Sequence, residues 1–337
     1  MLPQTANPAA FVARVNEIYH DVEGAGYLNR HRSIFVDEAK RWDRLARQFI
    51  ARADPVTVLD LGTGTGFVPL RVAPHLKPSD RVICADVSSV MLDVCRRKLE
   101  AGNFRCRFEF VNIGMNFARS IRGPVDVVTM NSVLHHIYSV TEAVSQIEGL
   151  LSDRGLLIIA HEPNRAFYAN AFLHLNCRVL DVGLHPLATA RHMLRRIGLA
   201  WAPRRVAQTS DKTTARVNAR LLEEGLIERP LTSGELACIV DFHSPTAGRD
   251  NRGKGFDLRR LLQHEMCLFE PLYFETYNHC GRPTTANWFT RGYGRILAGL
   301  FPRQGATFAV VLRRRGVAGA PRPLRLGPRC EPGGCKP

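Results

Sequence analysis

Residues 58–67 read VLDLGTGTGF, a short apolar run followed directly by three alternating glycines. A strand buried on both faces of a parallel sheet is a short, continuous apolar run. Glycines placed after such a strand allow a sharp turn and let the backbone approach a ligand that a Cβ atom would repel. This stretch therefore predicts an α/β fold with a nucleotide-binding turn after its first strand.

The spacing of the glycines indicates the type of cofactor. A dinucleotide-binding turn reads Gly-x-Gly-x-x-Gly, which here would require a third glycine at position 67. That position is Phe67, and the glycine stands at Gly66 instead. The pattern that begins at Asp60 is Asp-x-Gly-x-Gly-x-Gly, so the spacing disfavours a NAD-dependent oxidoreductase.

The glycine pattern resembles the first motif of class I methyltransferases, which use S-adenosylmethionine. The resemblance continues in order along the chain. The run Arg81–Asp86 ends in an acid about 20 residues after the glycines, the distance at which a doubly wound fold places a carboxylate on ribose hydroxyls. The run Val125–Asn131 leads into Leu134-His-His136, which is similar to the fourth motif of the family.

The resemblance implies a Rossmann-like sheet of seven strands, mostly parallel with the last strand antiparallel, with N-terminal helices and a helical lid inserted after strand five. Further strand patterns lie at 108–111, 155–160, 272–277 and 307–312. The expected domains are an N-terminal helical cap at 1–52, the S-adenosylmethionine-binding core at 53–164, the helical lid with substrate residues at 165–265, the end of the core sheet at 266–315, and a disordered basic tail at 316–337.

Helical patterns support this lid. Residues 188–197 and 215–226 are predicted helices, and the stripe formed by Tyr168, Phe172, Leu175 and Val179 is predicted to pack into a core. In the N-terminal cap, polar side chains are candidates for contacts to the methionine carboxylate or the substrate. These are Tyr19, Tyr27, Asn29, Arg30 and His31.

The cofactor contacts follow from the same resemblance. Asp60 is expected near the amino acid end of the cofactor and Asp86 at the ribose, although Asp86 could also cap the helix that starts near Ser88. At Asn112 the family often has an acid that reads the adenine amino group, and here the amide or the backbone is expected to replace it. The full expected set is Asp60, Gly62, Gly64, Gly66, Asp86, Val87, Asn112 and Asn131.

Two residues are predicted to be catalytic, His136 and Glu162, because they follow strands four and five at the edge where open α/β sheets bind ligands. The alternatives are a positioning role for His136 and loop hydrogen bonding for Glu162. His243, His264 and Glu265 offer further ligands, but their spacing matches no zinc signature, so no metal is predicted.

The formal net charge of +15 raises the question of a nucleic-acid partner. The arginines, however, crowd into 191–220 and the C-terminal tail, without aromatics interleaved on a sheet face. Asn131-Ser-Val133 also lacks the Asn/Asp-Pro-Pro-aromatic sequence of many base-amino methyltransferases. A small-molecule acceptor is therefore favoured over nucleic acid, with oxygen as the favoured accepting atom and nitrogen, carbon or sulfur left open. An RNA or protein methyltransferase and a non-catalytic cofactor-binding member also stay open.

The composition predicts a cytoplasmic protein. Nine cysteines without a Cys-x-x-Cys pair suit a reducing compartment better than a disulfide framework. No apolar run reaches the roughly 18 residues of a membrane span, and the first residues lack the pattern of a signal peptide. A homodimer is left open.

Overall fold

The computed structural model describes residues 7–26, 32–52, 54–184, 207–244, 255–281 and 288–315. The seven strands are β1 (Thr57–Leu61), β2 (Arg81–Asp86), β3 (Arg107–Asn112), β4 (Val125–Asn131), β5 (Leu151–Pro163), β6 (Phe269–Tyr277) and β7 (Thr307–Arg314). The helices are α1 (Pro8–Glu23), α2 (Arg32–Leu45), α3 (Phe67–Val72), α4 (Ser89–Glu100), α5 (Val140–Leu150), α6 (Arg165–Ala169), α7 (Ala171–Leu184), α8 (Ala207–Glu223), α9 (Ser233–Val240), α10 (Leu258–Arg260) and α11 (Trp288–Leu300).

All seven strands lie in one sheet of order β3-β2-β1-β4-β5-β7-β6. Strands β1 to β5 pair in parallel, whereas β7 runs antiparallel to both of its neighbours, β5 and β6. This is the predicted sheet, including the antiparallel last strand. The order reverses at β1, so ligands are expected beyond the carboxyl ends of β1 and β4, where the connections leave a crevice.

The central strands are buried on both faces, as their continuous apolar runs predict. Because neighbouring side chains point to opposite faces of a strand, Leu59 and Val128 join one apolar cluster while Val58 and Val127 join the other. The two clusters hold the sheet between helical layers. Rigid packing of this kind fixes the strand ends that carry the site residues.

A separate apolar cluster joins the N-terminal helix to the segment inserted after β5. Helix α1 packs on α8 and α9 through side chains that include Phe11, Val15, Leu221 and Ile239. Asp21 on α1 also accepts a hydrogen bond from Ser88 Oγ (2.6 Å), at the start of α4. We call α1, α8 and α9 together the cap. The N-terminal helix and the segment inserted after β5 thus form one helical unit held onto the sheet.

The strand and helix predictions can be compared with these bounds. The runs at 81–86 and 125–131 are strands with those bounds, whereas β5 is longer than predicted at both ends. Helix α8 ends at Glu223, followed by Gly225 with φ +66°, as its glycine stop signal indicates. The predicted helix at 188–197 and the tail at 316–337 lie outside the described residues. Among the described helices, none combines the length and the apolar composition needed to cross a membrane.

Candidate functional site

A cavity of about 590 Å³ opens at the carboxyl ends of β1, β2 and β4. One end is formed by the glycine turn after β1 and by Asp86, and the other by the segment that follows β4, from Asn131 to Tyr138. Helix α1 contributes Asn16, Tyr19 and His20 to the wall. The cap therefore closes a cleft that the sheet alone would leave open.

The glycine turn adopts a backbone that other residues disfavour. Gly62, Gly64 and Gly66 have φ values of +69°, +52° and +85°. A Cβ atom at Gly62 would come within 2.5 Å of Val133 Cγ2, and one at Gly66 within 2.8 Å of Cys95 Sγ. A Cβ at Gly64 would meet no atom within 4 Å. The outer glycines are thus required by packing, while Gly64 borders open space in the cavity.

Asp86 fastens this turn. Its Oδ2 accepts a hydrogen bond from Gly64 N (2.7 Å) and its Oδ1 one from Ser88 N (2.9 Å). Burial raises the pKa of this carboxyl to about 6. The cap of α4 is Ser88, whose hydroxyl accepts from Met91 N. Asp86 lines the cavity and keeps lone pairs that can accept hydrogen bonds from ligand hydroxyls.

Asp60 is a buried carboxylate with an unused acceptor. Its Oδ1 accepts a hydrogen bond from Thr129 Oγ1 (2.7 Å), whereas its Oδ2 has no hydrogen-bond partner within the described ranges. Burial raises its pKa to about 7. Asp60 lies one residue before Leu61, where the cavity wall begins. An unpartnered buried oxygen is costly, so its presence beside the turn fits a ligand that brings a donor.

The two asparagines at strand ends are engaged differently. Asn112 Nδ2 donates to the carbonyl oxygens of Asp86 and Val87, and the residue lies outside the cavity wall. Asn131 lines the cavity, and its Oδ1 accepts a hydrogen bond from the indole of the fully buried Trp42 (2.8 Å). Helix α2 thereby fixes the amide of Asn131, while Asn112 holds the end of β2.

Glu162 lies behind the wall and organises the turn after β4. It is fully buried, and its carboxylate accepts hydrogen bonds from the backbone N–H groups of Val133, Leu134 and His135. Its Oε2 also lies 2.9 Å from His135 Nδ1. The carboxylate thus has four donors around it and fixes the imidazole of His135.

The two histidines meet a carboxylate from the cap. His136 Nδ1 donates to Val240 O at 2.7 Å, at the end of α9, and Asp241 Oδ1 lies 3.4 Å from that nitrogen. The same oxygen lies 3.8 Å from His135 Nε2. Burial disfavours a charge on both rings, but the charge of Glu162 outweighs it and raises the pKa of His135. Burial and the charge of His135 lower the pKa of His136 to about 4.

A second imidazole–carboxylate pair faces the cavity from β5. His161 lines the wall with φ +60°, and its Nδ1 lies 3.1 Å from Oε1 of the buried Glu38 on α2. Arg41 pairs with Glu38 and lies over the ring of Tyr277, 3.2 Å from its centroid. Buried charges persist where they are paired and hydrogen-bonded, and this network holds α2 against the sheet.

The predicted site residues separate into two groups. The cavity wall contains Gly62, Gly64, Asp86, Val87, Asn131 and His136, whereas Asp60, Gly66 and Glu162 lie behind it and the exposed Asn112 lies outside it. Of the five N-terminal candidates, Tyr19 lines the wall and Tyr27, Asn29, Arg30 and His31 lie outside the described residues.

Sequence reasoning missed several contacts because the partners are far apart in the chain. Trp42 and Asn131 are separated by 89 residues, and His136 and Val240 by 104. His20 packs edge-on against His136, with ring centroids 5.3 Å apart, although it belongs to α1. No local pattern marks such pairs.

Comparison with known proteins agrees with the fold and the turn. Residues 59–157 match a family model described as "Methyltransferase domain". The release factor glutamine methyltransferase of Chlorobaculum tepidum is 38% identical over 92 residues, which are 26% of this chain and 31% of that protein. The demethylmenaquinone methyltransferase of Thermus thermophilus is 31% identical over 137 residues, which are 40% of this chain and 60% of that protein.

A solved structure resembles a larger part of the chain. The plantazolicin methyltransferase BpumL, in complex with a desmethylPZN analog and SAH, has 13% identity and a TM-score of 0.47, covering 92% of this chain and 96% of that one. The matches to curated relatives are partial: this chain spans between 31% and 66% of their length. The family model covers residues 59–157, from β1 into β5.

Proposed function

We propose that this chain, in which residues 59–157 form a class I S-adenosylmethionine-dependent methyltransferase domain, transfers a methyl group to the oxygen of a small-molecule acceptor. The observation that carries the proposal is that one cavity has the glycine turn at one end and imidazole and carboxylate groups at the other. When bound, the cofactor supplies a methyl group that is already activated on a sulfonium.

We call the end of the cavity formed by the glycine turn and Asp86 the donor end, and its residues suit this cofactor. Gly64 leaves space for it, Asp86 offers a carboxylate for ribose hydroxyls, and the unpartnered Oδ2 of Asp60 can accept from the ammonium of the methionine part. We infer that the backbone around Ile113 to Met115, which lines the cavity, contacts the adenine in place of the predicted Asn112.

We call the opposite end, formed by the segment from Asn131 to Tyr138, the acceptor end. Its residues are held in place by the fold. His136 borders the cavity and is proposed to contact the acceptor, while Glu162 is proposed to act as a positioning residue through His135. Holding two reactants in line is worth about 7–11 kcal/mol in favourable cases. The cap contributes by excluding water from the cavity.

The shape of the site favours a small molecule over a polymer. A volume of about 590 Å³ lies within the usual range for small-molecule and cofactor sites, and α1 closes part of the opening. The demethylmenaquinone methyltransferase relative is named for a small-molecule acceptor, whereas the release factor methyltransferase is named for a protein. The match to the latter keeps a protein acceptor as the second candidate.

The proposal is tested by thermal unfolding with and without S-adenosylhomocysteine. We expect the ligand to raise the melting temperature of the wild type and to have little effect on Asp86→Ala, which lacks the carboxylate at the ribose. At saturating ligand, about 100 times Kd, stabilisation of about 2.7 kcal/mol is expected.

Asp93→Ala is the matched control, because Asp93 is an exposed acid on α4 outside the cavity wall. It should keep the full ligand-induced shift. A wild-type melting curve that S-adenosylhomocysteine leaves unchanged would contradict the proposed cofactor. An equal shift in Asp86→Ala would contradict the proposed role of Asp86.

A further inference from the structure

Three potential metal ligands meet at the acceptor end of the cavity. One ligand atom from each of His135, His136 and Asp241 lies within 4.8 Å of the other two. His135 Nε2 and Asp241 Oδ1 are 3.8 Å apart. Two ligands of a tetrahedral zinc ion are about 3.4 Å apart, since each bond is about 2.0–2.1 Å long. His135 Nε2 and Asp241 Oδ1 are therefore within about 1 Å of the spacing of two ligands of one ion, and a nitrogen of His136 lies within 4.8 Å of both.

Both imidazoles already have the outer partners that metal-binding histidines usually have. A histidine that binds a metal almost always donates its other ring N–H to a carboxylate or a backbone carbonyl. Here Nδ1 of His135 faces Glu162 at 2.9 Å, and Nδ1 of His136 donates to Val240 O at 2.7 Å. In the neutral form of each ring these bonds fix the Nδ1–H tautomer, so Nε2 carries the lone pair that would bind the ion.

We propose that His135, His136 and Asp241 bind one divalent transition-metal ion, such as Zn²⁺, at the cavity wall. Two nitrogens and one carboxylate are a common ligand set for catalytic metals, which keep a further position open. The charges of the surrounding residues also suit a divalent cation, because Asp241 as a ligand and Glu162 behind His135 supply two negative charges. All three ligand residues line the cavity, so the open position faces the acceptor.

The chemical class of the acceptor follows from this site. An ion in this position would bind an oxygen donor and favour its deprotonated form, as bound divalent cations do for water. The inference thus specifies an acceptor with a hydroxyl group able to bind a metal. This use of the ion rests on the function proposed above, whereas binding of the ion itself does not.

The cluster differs from the metal ligands considered in the sequence. His243 donates its backbone N–H to His135 O, and Glu265 accepts from Thr141 Oγ1. In the described part of the chain, the side chains of His243, His264 and Glu265 do not form a group of three converging ligands. Within the described ranges, His135, His136 and Asp241 are the group of three such side chains that comes together. Sequence spacing could not reveal it, because Asp241 belongs to the cap.

The test uses the full chain without a histidine tag, stripped of metal by a chelator. Zn²⁺ is titrated by calorimetry, and Co²⁺ is followed by its visible absorbance, which reports coordination geometry. We expect one ion per chain. Asp241→Asn and His136→Gln should each weaken binding by more than about 100-fold, since even outer partners of metal ligands contribute 10–100-fold.

His264→Gln is the matched control, because His264 is an exposed histidine next to a glutamate and outside the cavity wall. It should bind Zn²⁺ as the wild type does. The S-adenosylhomocysteine shift is measured in every variant and should persist in Asp241→Asn, which establishes that the fold and the donor end are intact. Zn²⁺ binding that is absent in the wild type, or unchanged in Asp241→Asn, would overturn the metal site without affecting the cofactor proposal.

Discussion

The two ends of the cavity place a buried carboxylate in opposite circumstances. At the donor end, Asp60 keeps one oxygen without a hydrogen-bond partner in the described part of the chain. At the acceptor end, Glu162 is surrounded by three backbone N–H groups and the ring of His135. The second arrangement is satisfied by the protein itself, whereas we propose that a ligand satisfies the first.

This difference shows which part of the site is ready before a ligand binds. A carboxylate with all its donors present rigidifies the turn it holds and keeps His135 in one orientation. A carboxylate with a missing donor is destabilising until that donor arrives. We therefore expect the acceptor end to contribute to folding stability and the donor end to gain stability from its cofactor.

The largest effect is expected from filling the donor end. Gly64→Val places a branched side chain in the open space next to the glycine turn, so cofactor binding should weaken by at least about 1,000-fold, or about 4 kcal/mol. The measurement is S-adenosylhomocysteine affinity by calorimetry. Because φ is positive at Gly64, the backbone is strained as well, which calls for a control with the same strain.

Gly225→Val provides that control. Gly225 also has positive φ and no atom within 4 Å of a built Cβ, but it follows α8 and lies outside the cavity wall. Both variants should lose similar stability, and Gly225→Val should bind cofactor normally. Normal binding by Gly64→Val would show that the space next to the turn is not where the cofactor lies.

The next largest effect is expected on the free energy of unfolding, at Glu162, the carboxylate whose donors are all supplied by the protein. Glu162→Gln replaces one acceptor oxygen by an amide NH₂ that faces N–H donors, so we expect a loss of about 3–5 kcal/mol in the free energy of unfolding. Urea denaturation measures it. A catalytic base that is not part of the fold would behave differently, since turnover would fall while stability stayed the same.

Glu270→Gln is the comparison for Glu162→Gln. Glu270 pairs with Arg313, and the Glu270 side chain is 43% exposed. Exposed ion pairs contribute about 0–1 kcal/mol to the free energy of unfolding. A similar small loss in Glu162→Gln would contradict the positioning role and would return Glu162 to the catalytic role predicted from the sequence.

The sequence predicted the donor end better than the acceptor end, for a physical reason. The strands next to the glycine turn are short apolar runs, and parallel pairing brings their carboxyl ends to one edge whatever the rest of the chain does. Asp86 and Gly64 could therefore be placed at this edge from the sequence, and both line the cavity, while their contacts with a cofactor stay a prediction. His136, Trp42 and Asp241 acquire partners only when helices from distant segments pack over that edge.

Helix faces were also harder to predict than strands. The stripe on Tyr168, Phe172 and Leu175 was predicted to be core. That prediction was wrong for Phe172 and Leu175, which are 54% and 62% exposed. It is confirmed for Tyr168, which packs against an apolar cluster and also lines the cavity. Helical spacing shows that side chains share a face, but not what the face contacts, because that depends on the neighbouring elements.

The smallest effect is a pH dependence that identifies the unsatisfied carboxylate. Burial raises the pKa of Asp60 from 3.8 to about 7, so the folded protein holds a proton that the unfolded chain releases at lower pH. Its contribution to stability is complete below about pH 4 and is lost as the pH rises to about 7. Between about pH 5 and about pH 7, the wild type should lose about 2 kcal/mol more stability than Asp60→Asn, measured by urea denaturation without cofactor.

Asp86, whose pKa is raised to about 6, adds a similar trend to both proteins, so the difference between them isolates Asp60. Because an ammonium donor stabilises the ionised form, saturating S-adenosylhomocysteine should reduce this difference. Equal pH profiles with and without the cofactor would show that the free oxygen of Asp60 is not its contact.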